Sequence, residues 1–265
     1  MTGNNYNNKK EEIAQGKTFV AINLAGHIHF DQIDSTNNWA KSHSDEWNPQ
    51  GITLVTASSQ SAGRGRFKRQ WISPPGVNIY ATFCFWFEDG RLDSGHIPQV
   101  LAIAAAKTLQ NEGFSPKIKW PNDVLLNNKK IAGILCETIV REEKRGIICG
   151  IGLNVNMPHL ALEQIDKPAT SLLVEGGHLF DVEAVLALLT KTFISDLNHF
   201  LKSGFSPFFP FLQEHSALKS RQSVTFVDRD TPIDATFVCL RSDGSVELRL
   251  SNGNSVIFYV GEFIL

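Results

Sequence analysis

Cysteine is scarce in this chain: four residues in 265, at Cys84, Cys136, Cys149 and Cys239. None forms a C-x-x-C pair, which excludes the common zinc ribbons and knuckles, and their scatter excludes a disulfide scaffold. Reduced thiols point to a cytoplasmic compartment. The eight histidines fall in no H-E-x-x-H or H-x₃-H pattern, so no metal centre is expected beyond an ion carried by a substrate. No charge dominates either, with 25 Lys and Arg against 27 Asp and Glu for a net charge of -2. That balance provides no overall basic field for duplex nucleic acid. Long apolar runs are missing: Lys107, Glu137 and Lys191 interrupt the longest stretches, well short of the roughly 18 residues a membrane helix needs. The Asn-rich start, with Lys9, Lys10, Glu11 and Glu12, has no apolar region of the kind a secretory leader carries. What is present, 42% hydrophobic and 20% charged residues, is enough to bury a sizeable core. The expectation is a soluble cytoplasmic protein of one large domain or two modest ones.

The pattern along the chain predicts a polar tail over residues 1–26 and a main domain over 27–219. In the main domain, His27–Phe30 alternates as a strand, and Asp34-Ser35-Thr36-Asn37 offers helix N-cap chemistry before Trp39 and Ala40. Ile52–Ala57 reads as a buried strand, 58–74 as a long glycine- and proline-bearing loop, 78–87 as an aromatic strand and 97–109 as an alanine-rich helix. Four strands follow, over 117–120, up to Leu126, over 131–140 and over 146–154, with Asn127-Asn128 as a turn. Helical spacing returns over 182–201, and a shorter helix is expected within 205–218. Beyond Arg221, short strands over 224–227, 233–240, 246–250 and 256–260 are separated by Asp-Gly and Asn-Gly turns. They predict a small barrel-like β domain over 220–265.

Three segments carry chemistry. The loop Gln60-Ser61-Ala62-Gly63-Arg64-Gly65-Arg66-Phe67-Lys68-Arg69 packs Arg64, Arg66, Lys68 and Arg69 into six positions, beside glycines that let backbone amides approach a ligand. From charge alone, an anion site and a solvated basic loop are about equally good readings. Nucleic-acid contact is weaker because Phe67 is the loop's one aromatic, and the spacing does not fit a phosphate-binding P-loop. In Lys119-Trp120-Pro121-Asn122-Asp123, a strand ends in a proline corner bearing an amide and a carboxylate, although Asn-Asp after proline is also ordinary turn chemistry. Lys129 and Lys130 then enter the apolar strand Ile131-Ala132-Gly133-Ile134-Leu135, and alternation sends them to opposite faces. One ammonium must face the interior or a cleft, where it needs an anion. Gly150-Ile151-Gly152-Leu153-Asn154 lacks the third glycine and the helix of a dinucleotide site, so tight strand packing is its better reading.

Taken in order, Asp34–Asn37, Gln60–Arg69 with Trp71, Lys119–Asp123, Lys130–Leu135 and Gly150–Asn154 resemble the biotin protein ligase family. The resemblance implies an α+β fold: a catalytic core like that of class II aminoacyl-tRNA synthetases, followed by a small SH3-like β-barrel domain. It implies ATP-dependent activation of biotin to biotinyl-5′-AMP, with magnesium accompanying ATP. The biotinyl group then goes to one lysine of a biotin carboxyl carrier protein, usually that of acetyl-CoA carboxylase.

The same resemblance assigns catalytic roles to Lys130, Arg66 and Asp123, with Lys130 offsetting the repulsion between the biotin carboxylate and the α-phosphate. Biotin contacts fall to Ser35, Thr36, Asn37, Gln60, Gly63, Arg64, Arg66, Lys130, Gly133 and Gly150. ATP contacts fall to Arg64, Arg66, Arg69, Trp71, Asn122, Lys130 and Asn154. The Gly63–Arg66 loop would order over the ligand and exclude water. Asp123 would orient magnesium or accept the incoming lysine's proton. Fewer than 30 residues precede the core, so no DNA-binding domain and no nucleic-acid partner are expected. Ala169 stands where some relatives place a tryptophan over adenine. Edge strands of the core leave monomer and homodimer both open. A lipoate ligase, which shares the adenylation logic, and a non-catalytic biotin- or nucleotide-binding regulator are the competing readings.

Overall fold

The computed structural model describes residues 21–87, 93–141, 144–229 and 231–264. Most of the expected tail, residues 1–20, lies outside these. The main body is a seven-stranded sheet in the order β1-β2-β3-β7-β6-β5-β4. Its strands are β1 (Leu24–Phe30), β2 (Ile52–Ala57), β3 (Ile79–Phe87), β4 (Lys117–Lys119), β5 (Asp123–Leu126), β6 (Lys129–Arg141) and β7 (Lys144–Leu153). Only β1 and β2 run parallel, and every later neighbour is antiparallel. The turn between β5 and β6 uses Asn127 and Asn128 at φ 47° and 62°, left-handed angles that asparagine tolerates. That tight hairpin brings Lys130 back beside the Lys119–Asp123 corner.

Each helix forms where its local signals agree. Helix α1 (Thr36–Ser42) starts after Ser35, and α2 (Ile97–Asn111) carries Pro98 in its first turn, where no amide bond is lost. Short helices α3 (His159–Leu162) and α4 (Leu172–Gly176) lie within the segment after β7. The longest, α5 (Val182–Ser203), is capped by Asp181, which accepts from the amides of Glu183 and Ala184 at 3.0 and 3.1 Å, and ends at Gly204 with φ 70°. Pro207 and Pro210 restrict the helix expected over 205–218 to a 3₁₀ turn, Ser206–Phe208, and α6 (Phe209–Glu214). The large core lies where α2 and α5 cover the sheet, with Phe83 and Phe193 ring centroids 4.7 Å apart. On the opposite face α1 packs over β2, β3 and β7 around Ala40, Trp47 and Cys84.

The last strands, β8 (Ser223–Asp228), β9 (Thr231–Leu240), β10 (Val246–Leu250), β11 (Ser255–Phe258) and β12 (Glu262–Ile264), form a separate five-stranded antiparallel sheet in the order β11-β10-β9-β8-β12. β12 has no counterpart in the sequence reading, which ran one strand from 256 to 260. Gly261, at φ 147°, turns the chain there, and a side chain in its place would collide with the Phe226 ring.

Trp120 joins the two sheets. It is 1% exposed, its ring lies 6.1 Å from Phe226 and 6.0 Å from Phe263, and its Nε1 donates to the Gly244 carbonyl at 2.9 Å. Among the described residues no helix is long and apolar enough to cross a membrane. Trp120→Ala is expected to destabilise the protein by about 3–5 kcal/mol, the range for a buried large aromatic. Urea unfolding measures this directly.

Candidate active site

A cleft of about 700 Å³ opens on the face of the sheet that α1 partly covers. Its floor is shaped by glycine. Gly146, Gly150 and Gly152 share one face of β7, with Ile148 between the first two, and the missing side chains of Gly150 and Gly152 open that face where it lines the cleft. Other groups fill the space: a Cβ at Gly146 would lie 2.8 Å from the Trp47 ring, one at Gly150 would collide with the Asn37 amide, and one at Gly152 with the Trp71 indole. In register, Tyr80, Gly152 and Gly133 form one cross-strand row, and Thr82, Gly150 and Leu135 the next.

Gly133 has a specific task. A Cβ there would stand 2.8 Å from Lys130 Cε and Nζ, so the glycine lets the lysine side chain lie across β6. Lys130 thereby reaches Asp123, Nζ to Oδ1 2.6 Å, while Lys119, directly opposite Asp123 on β4, approaches the other oxygen at 3.6 Å. Lys130 Nζ also lies 5.5 Å from the Trp71 ring centroid. Burial pulls the Lys119 ammonium below its ordinary range against the opposing attraction of Asp123 and Glu262. Asp123 is 7% exposed, so this carboxylate depends on its two lysines for compensation.

The basic loop has a defined course. Trp71 N donates to Gly63 O at 2.9 Å and Gly65 N to Arg69 O at 2.7 Å, while Phe67 and Lys68 sit at φ 55° and 58°. Two consecutive left-handed residues cost about 1–2 kcal/mol each, a strain typical of functional loops. Its arginines diverge. Arg64 pairs with Glu137 at 2.9 Å and donates to Asn38 Oδ1 at 2.9 Å, at the α1 end. Arg66 donates to Asn122 Oδ1 at 3.0 Å and Gly261 O at 3.1 Å. Burial lowers the Arg66 pKa against the pull of Glu262 and Asp123. Arg69 makes a forked contact with Glu262 at 2.6 and 2.8 Å, and Lys167 adds a third at 3.4 Å.

The structure thus brings Ser35, Thr36, Asn37, Gln60, Arg64, Arg66, Arg69, Trp71, Asn122, Asp123, Lys130, Gly133, Gly150 and Asn154 to the walls of one cleft. Gly63 lies outside that lining, in an adjoining shallow hollow under the loop, where a Cβ would collide with the Trp71 carbonyl. Ser35 starts α1 without a side-chain cap bond, and Thr36 donates from N and Oγ1 to Gln60 Oε1 at 2.9 and 3.3 Å. Asn154 is 2% exposed and donates to Thr170 O at 3.0 Å, tying the segment that carries Ala169 to the end of β7. The Trp71 indole N–H is buried without a partner.

Sequence reading missed Glu262, Lys119, Lys167 and Glu137. Lys119 was within reach, since it opens a motif already singled out, but nothing local marks either glutamate. Among the described residues no three His, Cys, Asp or Glu side chains converge as a metal site would require. Six cations (Arg64, Arg66, Arg69, Lys119, Lys130, Lys167) and three carboxylates (Asp123, Asp166, Glu262) line the cleft, an excess suited to a polyanionic ligand.

Comparison with known proteins follows these motifs. Residues 29–154 match the model of the biotin/lipoate A/B protein ligase family. The bifunctional ligase/repressor BirA of Bacillus subtilis is 33% identical over 186 residues, 68% of this chain and 56% of that protein, so the match spans little more than half of the relative. A biotin-(acetyl-CoA-carboxylase) ligase of Paracoccus denitrificans is 36% identical over 163 residues, 59% of this chain and 68% of the relative. A biotin protein ligase from Aquifex aeolicus, solved in complex with biotin and ATP, superposes with a TM-score of 0.75 at 28% identity, covering 91% of this chain and 98% of that one.

The Glu262 carboxyl provides a pH test of the link between loop and C-terminal sheet. Burial alone would raise its pKa, but the Arg69 hydrogen bonds and charge, with Lys167 and Lys119, outweigh burial and hold it below the ordinary range. A depressed carboxyl stabilises above its unfolded pKa, and that contribution fades as pH falls through the folded value. Glu262→Gln is expected to cost about 1 kcal/mol at pH 7, kept small because Arg69 is half exposed. Urea unfolding at pH 7 and pH 3 should show the difference from wild type shrinking at the lower pH.

Proposed function

We propose that this chain, which belongs to the biotin/lipoate A/B protein ligase family, is an ATP-dependent biotin protein ligase. The observation that carries the reading is convergence. Motifs separated along the chain, 60–71, 119–123, 130–135 and 150–154, meet around one cation-rich cleft floored by glycines. A glycine-lined slot with apolar walls and a few polar groups suits a compact bicyclic acid, and the cation excess suits the triphosphate.

In the proposed first step the biotin carboxylate oxygen attacks the α-phosphorus of ATP. One O–P bond forms, the bond to the β-phosphate bridge breaks, and pyrophosphate leaves with its magnesium. Two anions must approach each other, and Lys130 is the group we assign to offset their repulsion, with Arg66 and Arg69 drawing off phosphate charge. Lys130 rests on Asp123 in the free protein. Turning toward the reacting anions, it would leave that carboxylate shared with Lys119 alone.

In the second step an acceptor lysine amine attacks the acyl carbon, AMP departs, and the amine's proton must go to a base. Asp123, once relieved of Lys130, is our candidate for that base. Ser35, Thr36, Asn37 and Gln60 would meet the polar groups of biotin. Trp71, with its unpartnered N–H, would wall the slot. Asn122 and Asn154 would position the nucleotide side, chiefly through the segments they anchor. The acceptor we propose is a biotin carboxyl carrier protein of acetyl-CoA carboxylase. With all four cysteines free, the cytoplasm is the compartment we assign.

Pyrophosphate release from ATP and magnesium tests the reading, measured with biotin, with lipoate and with no added acid. Release only with biotin, accompanied by protein-bound biotinyl-AMP on mass spectrometry, is expected. Turnover with lipoate instead would move the assignment to the sister activity. Lys130→Ala should lower the rate of adenylate formation roughly 100- to 1000-fold, the scale for removing a preorganised charge at a transition state.

A further inference from the structure

Glu137 lies on β6 one row beyond Leu135 and Gly150, on the same face of the sheet. Its side chain is 17% exposed, and a carboxylate that buried requires partners. Arg64 supplies a bidentate contact, Nη1 to Oε2 2.9 Å and Nη2 to Oε1 3.2 Å. Asn37 Nδ2 donates at 3.3 Å, and Lys41 Nζ stands 3.6 Å away. One acidic group therefore joins the basic loop to α1.

A carboxylate only accepts hydrogen bonds. Glu137, with the Leu135 carbonyl, thus requires the NH₂ of Asn37 to face it, which turns Asn37 Oδ1 toward Thr82. The Thr82 hydroxyl, wholly buried, lies 2.7 Å from Asn37 Oδ1 and 2.8 Å from Thr36 Oγ1. With its proton on Asn37, Thr82 accepts from Thr36 or leaves that hydroxyl to Gln60. Donor and acceptor directions along the floor of the cleft are set from the Glu137 end.

We propose that Glu137 is a positioning residue for substrate binding: it orients the Asn37–Thr82–Thr36 array that receives the acid and holds Arg64 so that the loop stays closed over the adenylate. The inference rests on the ligase reading above and deepens it. Loss of the negative charge weakens the hold on the Asn37 amide, leaving the Leu135 carbonyl as its one fixed acceptor there, and releases Arg64 from its charge-assisted fork. Glu137 touches neither Lys130 nor Asp123, so the chemistry at those groups is left intact.

Glu137→Gln, of the same shape, is the test, with wild type measured first. The expected result is a biotin KM raised about tenfold, the equivalent of one charge-assisted hydrogen bond, with kcat within about threefold of wild type. Bound biotinyl-AMP should be lost about tenfold faster in a filter-retention assay, as a closed loop no longer excludes water. In an Arg64→Gln background the same change should add less than about twofold to adenylate loss, because the two residues act as a unit. An unchanged KM and adenylate lifetime, a fall in kcat alone, or an undiminished effect without Arg64 would each overturn the proposal. Melting temperatures guard against simple misfolding. If Glu137→Gln does not fold, Glu137→Asp is measured in the same way, and failure of both would make Glu137 a structural residue and reject the role. A wild type with no biotin-dependent pyrophosphate release would reject the ligase reading itself, and this role with it.

Discussion

Two nearly buried carboxylates, Asp123 and Glu262, hold together cations that would otherwise repel one another across a partly enclosed cleft. Asp123 takes Lys119 and Lys130 from the main sheet, and Glu262 takes Arg69 from the loop and Lys167 from the segment after α3. Each carboxylate is compensated because its partners are positioned, and the partners are positioned because the elements bearing them pack. Glu262 belongs to β12 of the C-terminal sheet, so the small sheet completes the electrostatics of a site built mainly by the larger one. Trp120, buried between Phe226 and Phe263, secures that arrangement from below, next to Asn122 and Asp123.

The second constraint is steric. A floor of ordinary residues would fill the space that Asn37, Trp71 and Lys130 occupy, and Gly150 and Gly152 of β7, with Gly133 opposite Gly152, remove that obstruction. The same absence of side chains that brings Lys130 to Asp123 leaves a slot for a ligand. The proposed adenylate chemistry would benefit in two ways: charged groups converge at short range, and a loop could lie close over the intermediate to keep water out.

Much of this was legible before folding was considered. Strand alternation and helical spacing are local properties, and the core elements from β2 to β7, with α2 and α5, lie close to where the residue pattern indicates. A lysine entering an apolar strand must find an anion, which applied to Lys129 and Lys130 alike; the resemblance pointed to Lys130, and its partner proved to be the Asp123 already marked by the proline corner. The misses have physical causes. α3 and α4 are too short to show a helical period, prolines cut the helix after 205, and β12 is a three-residue strand whose pairing with β8 is what defines it. Gly150 and Gly152 read best as a packing signal in sequence, and the structure shows what packs there.

The sequence by itself determined the elements and that one of Lys129 and Lys130 must find an anion in a cleft, because periodicity and the cost of burying a charge act over a few residues; the family resemblance chose Lys130. Only the tertiary structure decided that Arg64 and Arg66 point apart, one to Glu137 and the other toward Asn122 and the C-terminal sheet. Arg64 and Glu137 are 73 positions apart, and Arg69 and Glu262 are 193. Which distant carboxylate a given arginine meets depends on how whole elements dock, and no local pattern of residues encodes that.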